Sequence, residues 1–138
     1  MRFMIIVKAT KDTEAGVMPD DKLLAEMGTF HEELQKAGVL RDASGLKPTR
    51  HGWRIKYSGD KRTVTDGPFA ETKELVAGYT VIDVKSREEA LEWAQRFPNP
   101  SLDNGEAEIE VRPFYELEDF EPSKEIERFR ELENARSK

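Results

Sequence analysis

Two stretches constrain the fold more than any others. "RFMIIVK" at 2–8 and "LVAGYTVIDV" at 75–84 are rich in β-formers and apolar on both faces, the mark of central strands. Each is followed by a helical pattern. After the first comes a polar loop, "ATKDTEAGVMPD", long enough to serve as a flap. The spacing then predicts a helix with Asp20 as N-cap and Gly38 past its end. Its apolar stripe is Leu23, Met27, Phe30, Leu34 and Ala37. After the second strand, "SREE" at 86–89 reads as a capping box. It opens a helix buried through Ala90, Trp93, Ala94 and Phe97, and "FPNP" ends it because proline cannot continue a helix.

Between these units, "GWRIKYSGDKRTVTDG" reads as a hairpin that turns at Ser58, Gly59 and Asp60. "AEIEVRPF" at 107–114 is a last strand, with Ile109 and Val111 on one face and Glu108, Glu110 and Arg112 on the other. The order is strand, helix, two or three strands, helix, strand. This is an α+β, ferredoxin-like split βαβ pattern, βαββαβ with an extra hairpin. Both helices then pack on one face of the sheet. The opposite face carries charges and aromatics such as Trp53, Tyr79 and Phe114. It reads either as solvated surface or as an adhesive homodimer interface enclosing a polar cleft.

A chain of 138 residues fits one domain, taken here as 1–120, followed by a charged tail at 121–138. Residues 123–136 are expected to form a helix that docks through Ile126, Phe129 and Leu132, since an isolated helix of that length is marginal in water. The net charge of −6 opposes direct nucleic-acid binding, which needs a basic face. No apolar run approaches a membrane span, and the N-terminus reads as a strand without a leader, so the expected location is cytoplasmic. The chain has no cysteine, which removes disulfides and a thiol nucleophile. No HxH, HExxH, GxGxxG or P-loop spacing is present, so neither a metal site nor a cofactor is expected.

The densest motif is "TDGPFAETKE" at 65–74. Gly67 and Pro68 set the backbone, with a trans bond expected between them. Phe69 is expected to be buried, pinning the loop to the body, with about 3 kcal/mol lost on truncation to alanine. Asp66 reads as a turn cap or as a rim carboxylate near Lys73, able to act as a base or bind a cation. Glu71, Lys73 and Glu74 read as solvated surface or as a binding group. His31 lies at the edge of the first helix's stripe, either as a partly buried histidine or as a titrating group facing the cleft. The basic strand "KPTRHGWRIK" reads as a half-buried strand or as an anion-facing surface through Arg54.

"DGPFAETKE" resembles the signature of DGPF-type proteins of the YCII-related superfamily. "FHEELQKAGVL", "SGLKP", "EALEWAQRFPNP" and "IEVRPFYE" resemble the same family, over about residues 1–120. The resemblance implies a ferredoxin-like fold that dimerises through its sheets into an α+β barrel. It also implies a small cytoplasmic bacterial protein in a regulatory, sigma-factor-associated setting, with a transcription-related partner. The YCII branch is similar to an enzyme with a His–Asp pair in a cleft. Its histidine lies about three turns before the glycine that ends the first helix. Met27 stands at that position here, and His31 lies one turn further on.

Two readings of function follow. One is a ligand-binding or regulatory module that takes an unidentified small molecule. The alternative is a small-molecule enzyme, with Asp66 as acid/base, His31 as proton carrier and Arg112 orienting an anionic substrate at the dimer interface.

Overall fold

The computed structural model describes residues 1–70 and 72–136. Strand β1 (Arg2–Lys8) is followed by a one-turn helix α1 (Lys11–Glu14) and by α2 (Asp21–Lys36). Then come β2 (Leu40–Gly45), β3 (Trp53–Ser58), β4 (Lys61–Asp66), β5 (Val76–Asp83), α3 (Arg87–Gln95), β6 (Ile109–Pro113) and α4 (Lys124–Arg136). Four strands form one antiparallel sheet in the order β2-β5-β1-β6. This is the ferredoxin-like α+β fold, with β1 and β5 central as their apolar runs require.

The helix limits follow from local chemistry. The Asp20 carboxylate accepts from the Leu23 amide at 2.9 Å, and Gly38 takes the left-handed conformation (φ 75°) just past α2. The Ser86 hydroxyl accepts from the Glu89 amide at 3.1 Å at the start of α3. The supposed flap is partly ordered. Thr10 caps α1, exchanging hydrogen bonds with Thr13.

Phe3, Ile5 and Ile82 from the sheet meet Phe30, Leu34 and Ala90 from the helices in one core. Ile109 and Val111 pack against it from β6, and Trp93 and Phe97 from α3 and the turn that follows it. Residues Met4, Ile6, Tyr79, Val81, Glu110 and Arg112 alternate to the opposite face.

The β3–β4 hairpin does not join this sheet. It forms a separate two-stranded arm whose residues are all exposed. The place beside β5 goes to β2, "LRDASG", which carries a single large apolar residue and so no strand periodicity. Helix α4 forms where expected but docks differently. Ile126, Arg130 and Glu133 are half-buried, whereas Phe129 and Leu132 are exposed. On the inward side Arg130 pairs with Glu118 at 3.7 Å, and Glu133 contributes to the field at Arg2. Among the described residues no helix is long and apolar enough to cross a membrane.

Candidate functional site

The DGPF motif leaves the arm at Asp66 and enters a knot of backbone contacts. The Gly67 amide donates to the Gly52 carbonyl at 3.0 Å. A Cβ on Gly67 would lie 1.9 Å from the Thr49 carbonyl oxygen, so only glycine fits there. The Gly67–Pro68 bond is cis, against the trans expectation.

A side-chain relay holds the same point. The Glu14 carboxylate accepts from the Thr49 amide at 2.8 Å and from the Thr49 hydroxyl at 2.7 Å. That hydroxyl in turn accepts from the Phe69 amide at 3.0 Å. Arg50 donates to the Glu14 carbonyl at 3.2 Å. Three segments distant in sequence, at 14, 49–50 and 67–69, therefore meet in one clamp at the base of the arm. Glu14 and Thr49 had no role in the sequence reading. Neither belongs to a periodic segment, and their pairing spans 35 positions.

Phe69 is half-buried and does not join the core. Its ring lies under the Arg54 guanidinium, 3.8 Å from centroid to Cζ. Arg54 thus serves the clamp as a cation–π partner. The expectation of a fully packed Phe69 is corrected accordingly. Phe69→Ala is expected to cost about 1.5 kcal/mol, combining modest apolar loss with one cation–π contact. Arg54→Ala should cost less, and the double variant should fall short of the sum because the two share one contact. Urea denaturation of the set checks this, and strict additivity would contradict the stacking.

Asp66 is exposed at the end of β4, and its carboxylate has no hydrogen bond or ion pair among the described residues. Lys73 and Glu74 lie exposed in a short 3-10 turn that leads into buried Leu75. Glu71 lies outside the described residues.

His31 sits on the helix side of the sheet. Its Nδ1–H donates to the Met27 carbonyl at 2.7 Å, and Nε2 meets the buried Thr80 hydroxyl at 2.9 Å. In the neutral ring Nε2 accepts that hydroxyl's proton. Phe30 and Phe97 meet the ring edge-on. Both nitrogens are thus engaged within the chain. Arg112 lies on the other face, paired in register with Met4. Within one chain, then, His31 and Arg112 lie on opposite sides of the sheet, so these two residues of the alternative enzyme reading do not converge there.

The open face has its own organisation. Met4, Ile6, Tyr79 and Val81 form an apolar floor across the two central strands. On the β6 side Glu110 pairs with Lys8 at 3.4 Å and lies 3.9 Å from Arg112. On the β2 side the Tyr79 hydroxyl donates to Asp42 at 3.1 Å, and this bond to the carboxylate holds the phenol above its ordinary pKa. At one end Arg2 pairs with Glu116 at 3.0 Å and covers the Phe114 ring. The arrangement is an apolar strip edged by charges of both signs. Among the described residues no acidic, histidine or cysteine cluster could hold a metal ion.

Two comparisons bear on this architecture. The model of the YCII-related domain matches residues 1–115. The chain is also similar to "Uncharacterized protein R00369" of Rhizobium meliloti (strain 1021), 34% identical over 94 residues. That alignment covers 68% of this chain and 74% of the relative. With the family match spanning α1, α2, α3 and all four strands of the main sheet, this chain belongs to the YCII-related domain family.

Proposed function

We propose that this protein is a ligand-binding regulatory module that works as a homodimer and holds a small molecule over the open sheet face. The observation that supports it most is the floor of Met4, Ile6, Tyr79 and Val81 edged by Lys8, Glu110, Arg112 and Asp42. Two such faces meeting would enclose a polar cleft with an apolar lining. Arg112 is the contact for an anionic group, because its guanidinium is exposed and only loosely held by Glu110. Non-catalytic binding is favoured by His31, which spends both ring nitrogens on Met27 and Thr80. A transcription-related protein partner is the setting that the DGPF-type resemblance suggests for such a module.

Light scattering at micromolar concentration should return about twice the chain mass. In a thermal-shift screen of small carboxylates and phosphates, a true binder raises the melting point, because it binds only the folded state. Arg112→Ala should erase that shift while leaving the unliganded melting point nearly unchanged. A monomer with no binder would sink the reading.

A second reading is supported by Asp66, an exposed carboxylate without a partner among the described residues, at the rim of the Gly67 clamp. If it serves as acid/base, Asp66→Asn removes turnover of a bound compound and leaves its affinity intact. Equal turnover by the variant would end that alternative.

A further inference from the structure

We propose that the β3–β4 arm of one chain docks on the C-terminal segment, residues 115–136, of a second copy. The proposal rests on the homodimer reading only in taking a second copy as the partner. It places the contact on residues other than the apolar floor of the open sheet face.

The arm is unfinished as a structure. A two-stranded hairpin whose apolar face is left unpacked is marginal in water. Register puts Trp53, Ile55 and Tyr57 on one face with Val64 across from Ile55. Trp53, Tyr57 and Val64 are 65%, 60% and 63% exposed. Large apolar side chains gathered on one ribbon face mark a contact surface rather than scattered surface residues. The opposite ribbon face carries Arg54 and Lys56.

The C-terminal segment is unfinished in the same way. Its helix turns Phe129 and Leu132 outward, 56% and 60% exposed. The neighbouring Tyr115 and Phe120 rings meet at a tilt of 44°, 5.3 Å between centroids, and are also exposed. Within one chain the arm and the segment leave each other's apolar residues open to water, so a second copy is the occupant that covers both.

Charge agrees. Residues 47–66 hold six basic side chains (Lys47, Arg50, Arg54, Lys56, Lys61, Arg62) against Asp60 and Asp66. Residues 115–136 hold eight acidic against four basic, so the two segments, rather than the aromatic face alone, carry opposite net charges of equal size. Complementary charge of this kind steers partners and fixes their register.

The test uses full-length chains and exposed positions, so folding is not at risk. Phe129→Ser with Leu132→Ser, and separately Trp53→Ser with Tyr57→Ser, should each weaken the dimer at least about tenfold in sedimentation equilibrium. Mixing the two variants should give a heterodimer tighter than either homodimer, because one arm and one tail remain intact across the pair. Raising salt from about 0.05 to about 0.5 M should weaken the wild-type dimer. A wild-type monomer would overturn both this contact and the homodimer reading. A dimer indifferent to both pairs of substitutions, yet broken by Ile6→Ser on the open face, would overturn the arm contact and leave the homodimer reading standing. Loss of dimer in both variants without rescue on mixing would also overturn the exchange between copies.

Discussion

Gly67→Ala is expected to lower stability by about 3 kcal/mol or more, the largest single effect in the molecule outside its core. The cause is geometric. The added Cβ would lie 1.9 Å from the Thr49 carbonyl oxygen and 2.6 Å from its carbon, both rigid backbone atoms. Relief would require moving either the Thr49–His51 turn or the loop itself. The first move opens the Glu14–Thr49 bonds, and the second breaks the Gly67 amide's bond to Gly52. Gly28→Ala is the control. Nothing lies within 4 Å of its added Cβ on α2, so it should gain about 0.5–1 kcal/mol from helix propensity. Hydrogen exchange should show the Gly67→Ala loss concentrated in residues 49–69. A neutral Gly67→Ala would mean that the clamp yields freely.

His31→Leu is expected to cost about 2–3 kcal/mol, because it strands the Thr80 hydroxyl, 2% exposed, without its partner. Thr80→Val should cost less. The double variant should recover part of the loss, since two apolar groups replace a matched polar pair. Thermal and chemical denaturation of the cycle give the coupling directly. Turnover or binding that vanishes with His31→Leu, alongside unchanged stability, would instead assign His31 to the ligand.

The Asp66–Phe69 stretch thus acts first as a joint. Gly67 supplies the close approach, the Phe69 amide completes the relay from Glu14, and its ring stacks on Arg54. This joint fixes where the arm leaves the domain, and so where Asp66 and the aromatic ribbon are presented. Binding on the open face and docking of the arm would both depend on it, which makes Gly67 and Glu14 positions where a structural change reaches function.

Much of the main fold was legible along the chain. The caps at Asp20 and Ser86, the stop at Gly38 and the stripes through Leu23, Phe30, Leu34, Ala90 and Trp93 are local features. They depend on residues within a turn or two of one another. The two apolar runs also marked β1 and β5 as the sheet's centre. β2 was silent, because its pairing with β5 and not its own pattern makes it a strand.

The candidate site was less legible for the same reason. Sequence determined which residues were chemically able: Asp66, His31, Arg54, Arg112 and the Gly67–Phe69 turn. Only tertiary structure decided which side of the sheet each would serve. Alternation put Arg112 on the open face, while α2 carried His31 to the other, where the buried hydroxyl of Thr80, 49 positions away, engages its ring. Likewise the apolar seam of α4 was readable, but the side it turns inward, with Ile126 and Arg130 half-buried and Phe129 and Leu132 exposed, was not. Periodicity records only what neighbours within one element share. The partners that orient a side chain come from distant segments, and their geometry exists only once the chain has folded.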